Sequence, residues 1–555
     1  MSSSKVELTV GPDGGVPEGH TVSGIPAELV DRYRREGLWT EDTLDDLLVE
    51  AARRWPDRPA VSDRYRRVTY AQLDAAVDRA ARVLAARGIG VGDAVVVHLP
   101  NSVAFVETVF AVHRLGAVPV FALAAHGAAE VRHFVGLAPA RAYVGPDRPG
   151  ERFAAVPSMV RAEFPEVEVV LVADRVEDPW AAASGCALVE RPEVPALSLA
   201  FFQLSGGTTG VPKLIPRTHA EYLYSVRASV EVTALTGDDV MLVVLPASHN
   251  FTMSSPGILG AFMVGAQVVL AADPSPSTCL PLIDAQGVTA VALVPPLLLA
   301  WLNSPLRERS ELSSLRVLWV GGAKLSESVA CRVVPELGCA LQQVFGMAEG
   351  LVNYTRFDDD PELVLSTQGR PQSSWDEVLV VDDADVPVVS GEPGHLLTRG
   401  PYTIRRYHRA PEHDARSFTA EGFYRTGDVV RQLPSGHLVV VGRAKDQINR
   451  GGEKVAPEAV ENELLAHPAV HDVSVVGLPD EVLGERVCAY VIVRDPGAAD
   501  VPDARGLRQF LRARGLASFA IPDVVHLVRE FPQTGVGKVS KRGLREDVEL
   551  PSPRK

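Results

Sequence analysis

The chain has 555 residues, 46% of them hydrophobic and 23% charged, a globular balance far too apolar for a disordered chain. Single cores stop growing near ~250–300 residues, so at least two domains are expected. A net charge of −15 argues against non-specific binding to nucleic acid or to an anionic membrane. The longest apolar runs, such as "AVALVPPLLLAWL" at 290–302, are too short to span a bilayer and contain prolines. The N-terminus has no apolar signal core, and five scattered cysteines lack CxxC spacing. Together these point to a cytoplasmic protein with reduced thiols, no zinc site and no membrane or nucleic-acid partner.

In chain order, "TLDDLLVEAARRW" and "TYAQLDAAVDRAARVLAARG" show apolar spacings of three and four. Each opens on a threonine placed to cap a helix. "DAVVVHLP" reads as a strand ending in proline, followed by the helical "SVAFVETVFAVHRLG" and the strand "AVPVFA". The rhythm continues through "RAYVG", "VEVVLVA", "SLAFFQL", "DVMLVVLP", "GAQVVLA", "TAVALVP" and "LRVLWVGG". Continuously apolar strands separated by helices predict parallel α/β sheets covered on both faces. From about 376 the strands "DEVLVVDD", "GHLLTRG" and "GHLVVVGR" carry turn signals and predict a smaller β-rich subdomain. After "GRAKD" a compact α+β unit begins, with helices "APEAVENELLAHP" and "ARGLRQFLRARG" around strands "HDVSVVGLP" and "RVCAYVIV". A large N-terminal domain over 1–444 and a small C-terminal domain over 445–555 are expected.

Lysine use marks where chemistry is concentrated. Only eight of 55 basic residues are lysine, and the six outside the tails all lie in or beside glycine-bearing loops. Arginine serves wherever a surface cation suffices; a compact ammonium is kept where a point charge must reach an anion. The loop "LSGGTTGVPK" follows an apolar strand. Backbone N–H groups at Gly206, Gly207 and Gly210 suit a phosphate, with the hydroxyls of Ser205, Thr208 and Thr209 and the Lys213 ammonium as further contacts. It lacks Walker spacing, as does "TGVGKVSK" at 534–541. A nucleotide held by one loop and approached by the other fits both.

These segments, with "YRTGD" (424–428) and "GRAKDQINRGGEK" (442–454), resemble in order and spacing the adenylate-forming superfamily. The stretches "LPASHNFTMSSPG", "VPP", "GGAKLS", "QQVFGMAEGLVNYTR" and "TRGPYTI" are similar to free-standing 2,3-dihydroxybenzoate–AMP ligases of siderophore assembly. The resemblance implies ATP and Mg²⁺, an aromatic acid substrate and a phosphopantetheinylated aryl carrier protein as acceptor. It implies that Glu349 and Thr208 hold the metal. Gly321, Gly322, Ala323 and Phe345 would form the adenine pocket, with Val344 and Gly346 also binding ATP, although Phe345 also reads as plain core. Asp428 and Arg443 would take the ribose and phosphates. Lys538 would be the catalytic cation bridging carboxylate and α-phosphate, and Lys541 a solvated neighbour. Lys445 would be the hinge, after which Gly451, Gly452 and Lys454 reach the site in a second arrangement.

For the acid, the resemblance implies Asn250 on the 2-hydroxyl and carboxylate, with Ser255 and Val352 around a 3-hydroxyl. Phe251, Gly322 and Met347 would line the remainder. His249 reads either as a structural histidine or as a gate beside the thiol. Ser255 and Val352 match the dihydroxybenzoate type, whereas Phe251 matches the salicylate type and "FTM" departs from both. Salicylate, 3-hydroxypicolinate or 3-hydroxyanthranilate, and free coenzyme A as acceptor, are the alternatives.

Overall fold

The computed structural model describes residues 22–149, 151, 153–205, 213–450, 453–480, 482–495, 497, 501–534 and 538–546. Local sequence starts the first helices as expected. Thr43 and Asp46 close a capping box on Leu44–Arg54, and Thr69 and Gln72 close another on Tyr70–Ala86. Each satisfies N–H groups the helix leaves open and contributes about 1 kcal/mol.

Two large sheets follow from the apolar strands. One has six strands, running from Glu168–Val172 through Ala142–Pro146, Ala94–Val97, Val118–Phe121 and Leu199–Leu204 to Leu214–Thr218. All its pairs are parallel except the last, a hairpin around residues 205–213 that the periodicity did not reveal. The other has nine strands, with Val240–Val243, Gln267–Leu270, Ala290–Leu293, Val317–Gly321 and Ala340–Met347 parallel in its middle. One continuous core spans both sheets and includes Trp180, Trp301 and Trp319, while the other face of the six-stranded sheet packs a second core with Phe134 and Tyr143. The β-rich subdomain is a four-stranded antiparallel sheet of Glu377–Val381, Pro393–Arg399, Tyr424–Gln432 and Leu438–Arg443.

The chain then passes through a short turn, Ala444–Asp446, into the last sheet. That sheet joins Val470–Asp480 to Gly484–Val493 antiparallel, with Val524–Leu527 parallel on the other side. It has its own apolar core, packed by Val460, Leu464, Leu507 and Leu511. Its contact with the large part includes Asn303, whose Oδ1 accepts from Arg494 at 3.0 Å and whose Nδ2 lies 3.1 Å from His471 Nδ1. Among the described residues, no helix is long and apolar enough to cross a membrane.

The nine-stranded sheet and the four-stranded sheet meet at Gly369. Its carbonyl accepts from Leu438 N–H at 2.8 Å, and its φ is +78°. A Cβ there would lie 1.9 Å from the Tyr354 carbonyl carbon, inside backbone that cannot rotate away. Gly369→Ala is therefore expected to cost about 3 kcal/mol or more, read as a lowered urea midpoint. A loss below about 1 kcal/mol would show that the seam yields.

Candidate functional site

Parallel strands aim their carboxyl ends at one crevice, where side chains and loops from different elements converge. Gly321 and Gly322 end the strand Val317–Gly321 at this place. A Cβ on Gly321 would sit 2.8 Å from the Val344 carbonyl oxygen and 3.2 Å from Phe251 Cζ. A Cβ on Gly322, whose φ is +84°, would sit 2.9 Å from Lys538 Cε and 3.3 Å from its Nζ. The glycine pair thus lets Val344, Phe251 and the lysine of the last sheet's domain approach one surface. Ala323 beside it is exposed.

Asp428 and Arg443 are direct partners across antiparallel strands, and their side chains join with Nε 2.6 Å from Oδ1. The Asp428 N–H donates to Thr426 Oγ1 at 3.0 Å. Its Oδ2 is buried without a hydrogen-bond partner. A buried acceptor left open costs about 1–3 kcal/mol, so this oxygen awaits a donor such as a sugar hydroxyl. Burial raises the Asp428 carboxyl above the ordinary range against the pull of Arg443. Burial and the neighbouring Arg443 push the Lys538 ammonium down to about 8, with Asp428 opposing. His249 is pushed down to about 3 by burial and by the Lys538 cation. Glu349 also acts on Asp428 and Arg443, so two carboxylates face two cations around a neutral imidazole.

The turn after Ala340–Met347 delivers Glu349, which is buried. Its Oε1 accepts from Tyr407 Oη at 2.9 Å, and Tyr407 lies 3.0 Å from Tyr424 Oη. Lys213 Nζ stands 5.0 Å over the Tyr407 ring. Burial lowers the Lys213 ammonium, and Glu349 opposes the shift. Ser205 and Lys213 pin the glycine loop at its neck: Ser205 N–H donates to the Lys213 carbonyl, and Lys213 N–H to Ser205 Oγ, both at 3.0 Å. Gly206, Gly207, Thr208, Thr209 and Gly210 lie outside the described residues, as do Gly451 and Gly452.

His249 caps the short helix Asn250–Ser254 by accepting the Phe251 N–H at Nδ1, 3.2 Å. Asn250 Oδ1 accepts from Tyr222 Oη at 2.9 Å, so the amide offers its N–H donors elsewhere. Ser255 is buried. Val352 is buried with its methyls against Gly346. Phe345 and Met347 are half-buried beside the apolar cluster of the four-stranded sheet. Sequence reasoning missed Tyr222, Tyr407 and Tyr354, whose partners lie 28, 58 and 125 residues away.

Two lysines differ from expectation. Lys541 is not solvated: its Nζ pairs with Glu461 at 3.0 Å and Glu458 at 3.7 Å, and these acids raise its ammonium against burial. Lys324 donates to the Val440 carbonyl at 2.8 Å, tying the Gly322 loop to the four-stranded sheet. Lys445 lies in the turn between the last two sheets.

The AMP-binding enzyme family model matches residues 48–408, and the AMP-binding enzyme C-terminal domain matches 459–538. The chain belongs to the AMP-binding enzyme family. The 2,3-dihydroxybenzoate-AMP ligase of Bacillus subtilis is 51% identical over 525 residues, 94% of this chain and 97% of that one. The apo structure of MbtA from Mycobacterium smegmatis has 44% identity and a TM-score of 0.71, covering 95% and 98% of the two chains. ATP-bound MatB from Rhodopseudomonas palustris has 26% identity and a TM-score of 0.81, covering 92% and 99%. As an adenylate-forming enzyme, the protein has the parallel-sheet architecture and the C-terminal domain that its motifs implied.

Lys538 gives this AMP-binding enzyme a measurable proton linkage. At pH 8 an ammonium with a pKa of about 8 is about half protonated, and a polyanion bound beside it restores the charge. ATP binding at pH 8 is expected to take up about half a proton, and Lys538→Met to abolish the uptake. Calorimetry in buffers of different ionisation enthalpy reads it; equal uptake by both proteins would refute the linkage.

Proposed function

We propose that the enzyme activates a 2-hydroxylated aromatic carboxylic acid, best 2,3-dihydroxybenzoate, with ATP and then passes the aryl group to the phosphopantetheine thiol of an aryl carrier protein. A carboxylate oxygen attacks the α-phosphorus, the bond to the β-phosphate breaks and pyrophosphate leaves. The thiol sulfur then attacks the acyl carbon, AMP leaves and the thiol proton passes to solvent. The observation that carries this reading is Lys538, half-buried against Gly322 in the field of Asp428 and Arg443. Its ammonium would neutralise the two anions as they meet, worth about 3–4 kcal/mol by comparison with a lost oxyanion donor.

The family and the identity to a named aryl-acid ligase support ATP and an aromatic acid. Asp428 Oδ2 is the acceptor we assign to a ribose hydroxyl, with Arg443 holding the carboxylate in place. Glu349 would hold Mg²⁺ through the oxygen that Tyr407 leaves open. One carboxylate suffices for an ion that arrives on phosphates and keeps several waters. Bound there, Mg²⁺ would neutralise phosphate charge. His249, with a pKa of about 3, is too weak a base to take a proton near neutrality. We therefore assign it to placing the acid and admitting the thiol without adding charge. The chain is divided at 444/445, and Lys445 is the proposed hinge within the Ala444–Asp446 turn.

Lys538→Ala is expected to abolish acid-dependent ATP–pyrophosphate exchange while leaving thiol transfer from supplied aryl-AMP much less affected. Equal loss of both half-reactions would remove Lys538 from this role. Across a panel of acids, 2,3-dihydroxybenzoate should be best, salicylate second and benzoate poorest. Each unmet neutral hydrogen bond costs about 1–3 kcal/mol, roughly 5- to 150-fold in kcat/KM. Phe251, which offers no hydroxyl, favours salicylate as the second reading, and that acid ranking first would establish it.

A further inference from the structure

The turn that delivers Glu349 is anchored from outside itself on both sides of that residue. Arg217 Nη1 donates to the Ala348 carbonyl at 3.0 Å, and the Ile404 N–H donates to the Glu349 carbonyl at 2.8 Å. These carbonyls belong to the rigid peptide planes before and after the Glu349 Cα. With both planes held, the direction in which the side chain leaves the backbone is set, and Tyr407 Oη fixes its carboxylate at 2.9 Å. The Ile404 bond is main chain and survives any side chain at 404. The Arg217 bond exists only because an arginine stands there.

Arg217 lies in the strand Leu214–Thr218, which leaves the glycine loop, so one strand ties that loop to the Glu349 turn. Arg217 and Glu221 are both buried, with Nε 3.4 Å from Oε1. Glu221 is fixed in turn by the Thr218 N–H at 2.9 Å and by Ser23 Oγ at 2.8 Å. The guanidinium carbon lies 5.3 Å from the centroid of the Tyr222 ring. A buried ion pair adds little stability over apolar residues of the same volume. What this pair supplies is a planar donor held at one place and directed at one carbonyl.

We propose that Arg217 is a positioning residue that sets the backbone of the Glu349 turn so that the carboxylate meets Mg²⁺ arriving on ATP, with Glu221 holding the guanidinium in place. This rests on the proposed assignment of Glu349 to the metal.

The test reads binding instead of turnover. Calorimetry gives the dissociation constant of ATP with Mg²⁺ and with the metal chelated, and the ratio of the two measures how far the metal tightens ATP. Glu349→Gln should lower that ratio at least about fivefold, as should Arg217→Met combined with Glu221→Gln, which removes the cation and its counter-charge together. Arg217→Lys keeps a charge opposite Glu221 and protects the fold, but an ammonium lacks the planar fork that reaches both acceptors. Its ratio should fall at least about twofold with the urea midpoint little changed. The control is Arg66→Met with Glu107→Gln, another buried pair, joined at 2.6 and 2.9 Å, neither member of which bonds to a residue of the site. It should leave the native ratio. Native ratios in both Arg217 variants, with the ratio lost in Glu349→Gln, would overturn the proposal and leave Glu349 on the metal. An equal fall in the control would overturn it too, by showing general loosening. A native ratio in Glu349→Gln would overturn the metal assignment, and the proposal with it.

Discussion

The ammonium of Lys538, held near the Arg443 guanidinium with Asp428 as its opposing charge, is the constraint on which the rest of the site depends. A cation so placed is unfavourable until an anion joins it, as its lowered pKa records. In the proposed reaction that cost would be relieved where carboxylate and phosphate meet. The glycine pair at 321 and 322 makes it possible by leaving space that any Cβ would fill.

The architecture separates two tasks. In the proposed site, strand ends and their cross-strand partners would fix the nucleotide side, through Asp428, Arg443 and Glu349. The acyl side would be set by one short helix, Asn250–Ser254, and the residue that closes it. Asn250 is oriented by Tyr222, and Ser255 is buried. The preferred acid can therefore change by altering few side chains, with the charge arrangement around Lys538 left in place.

What the sequence made legible was local or repetitive. Thr43 and Thr69 announced their helices because a cap acts over three residues, and the apolar strands announced parallel sheets. The lysine census pointed to Lys538 and Lys213 because a scarce residue in glycine loops is visible without a fold. It also pointed to Lys324 and Lys541, which hold structure: one binds a strand carbonyl, the other a pair of glutamates. Composition cannot tell which ammonium groups are taken up by their own chain. The partners of Asn250 and Glu349 were hidden because the fold, and no periodicity, brings Tyr222 and Tyr407 to them.

The contact of Asn303 with Arg494 and His471 has a consequence for motion in the proposed cycle. Amide, guanidinium and imidazole groups exchange each other for water at a net cost of only about 0.5–1.5 kcal/mol per bond. Such a seam rewets as it opens and acts as a lubricated bearing. The resting angle of the small domain would then be governed by what fills the crevice. Anions meeting Lys538 hold it closed, and their departure as pyrophosphate frees it to turn, so the leaving group itself would time the second half-reaction.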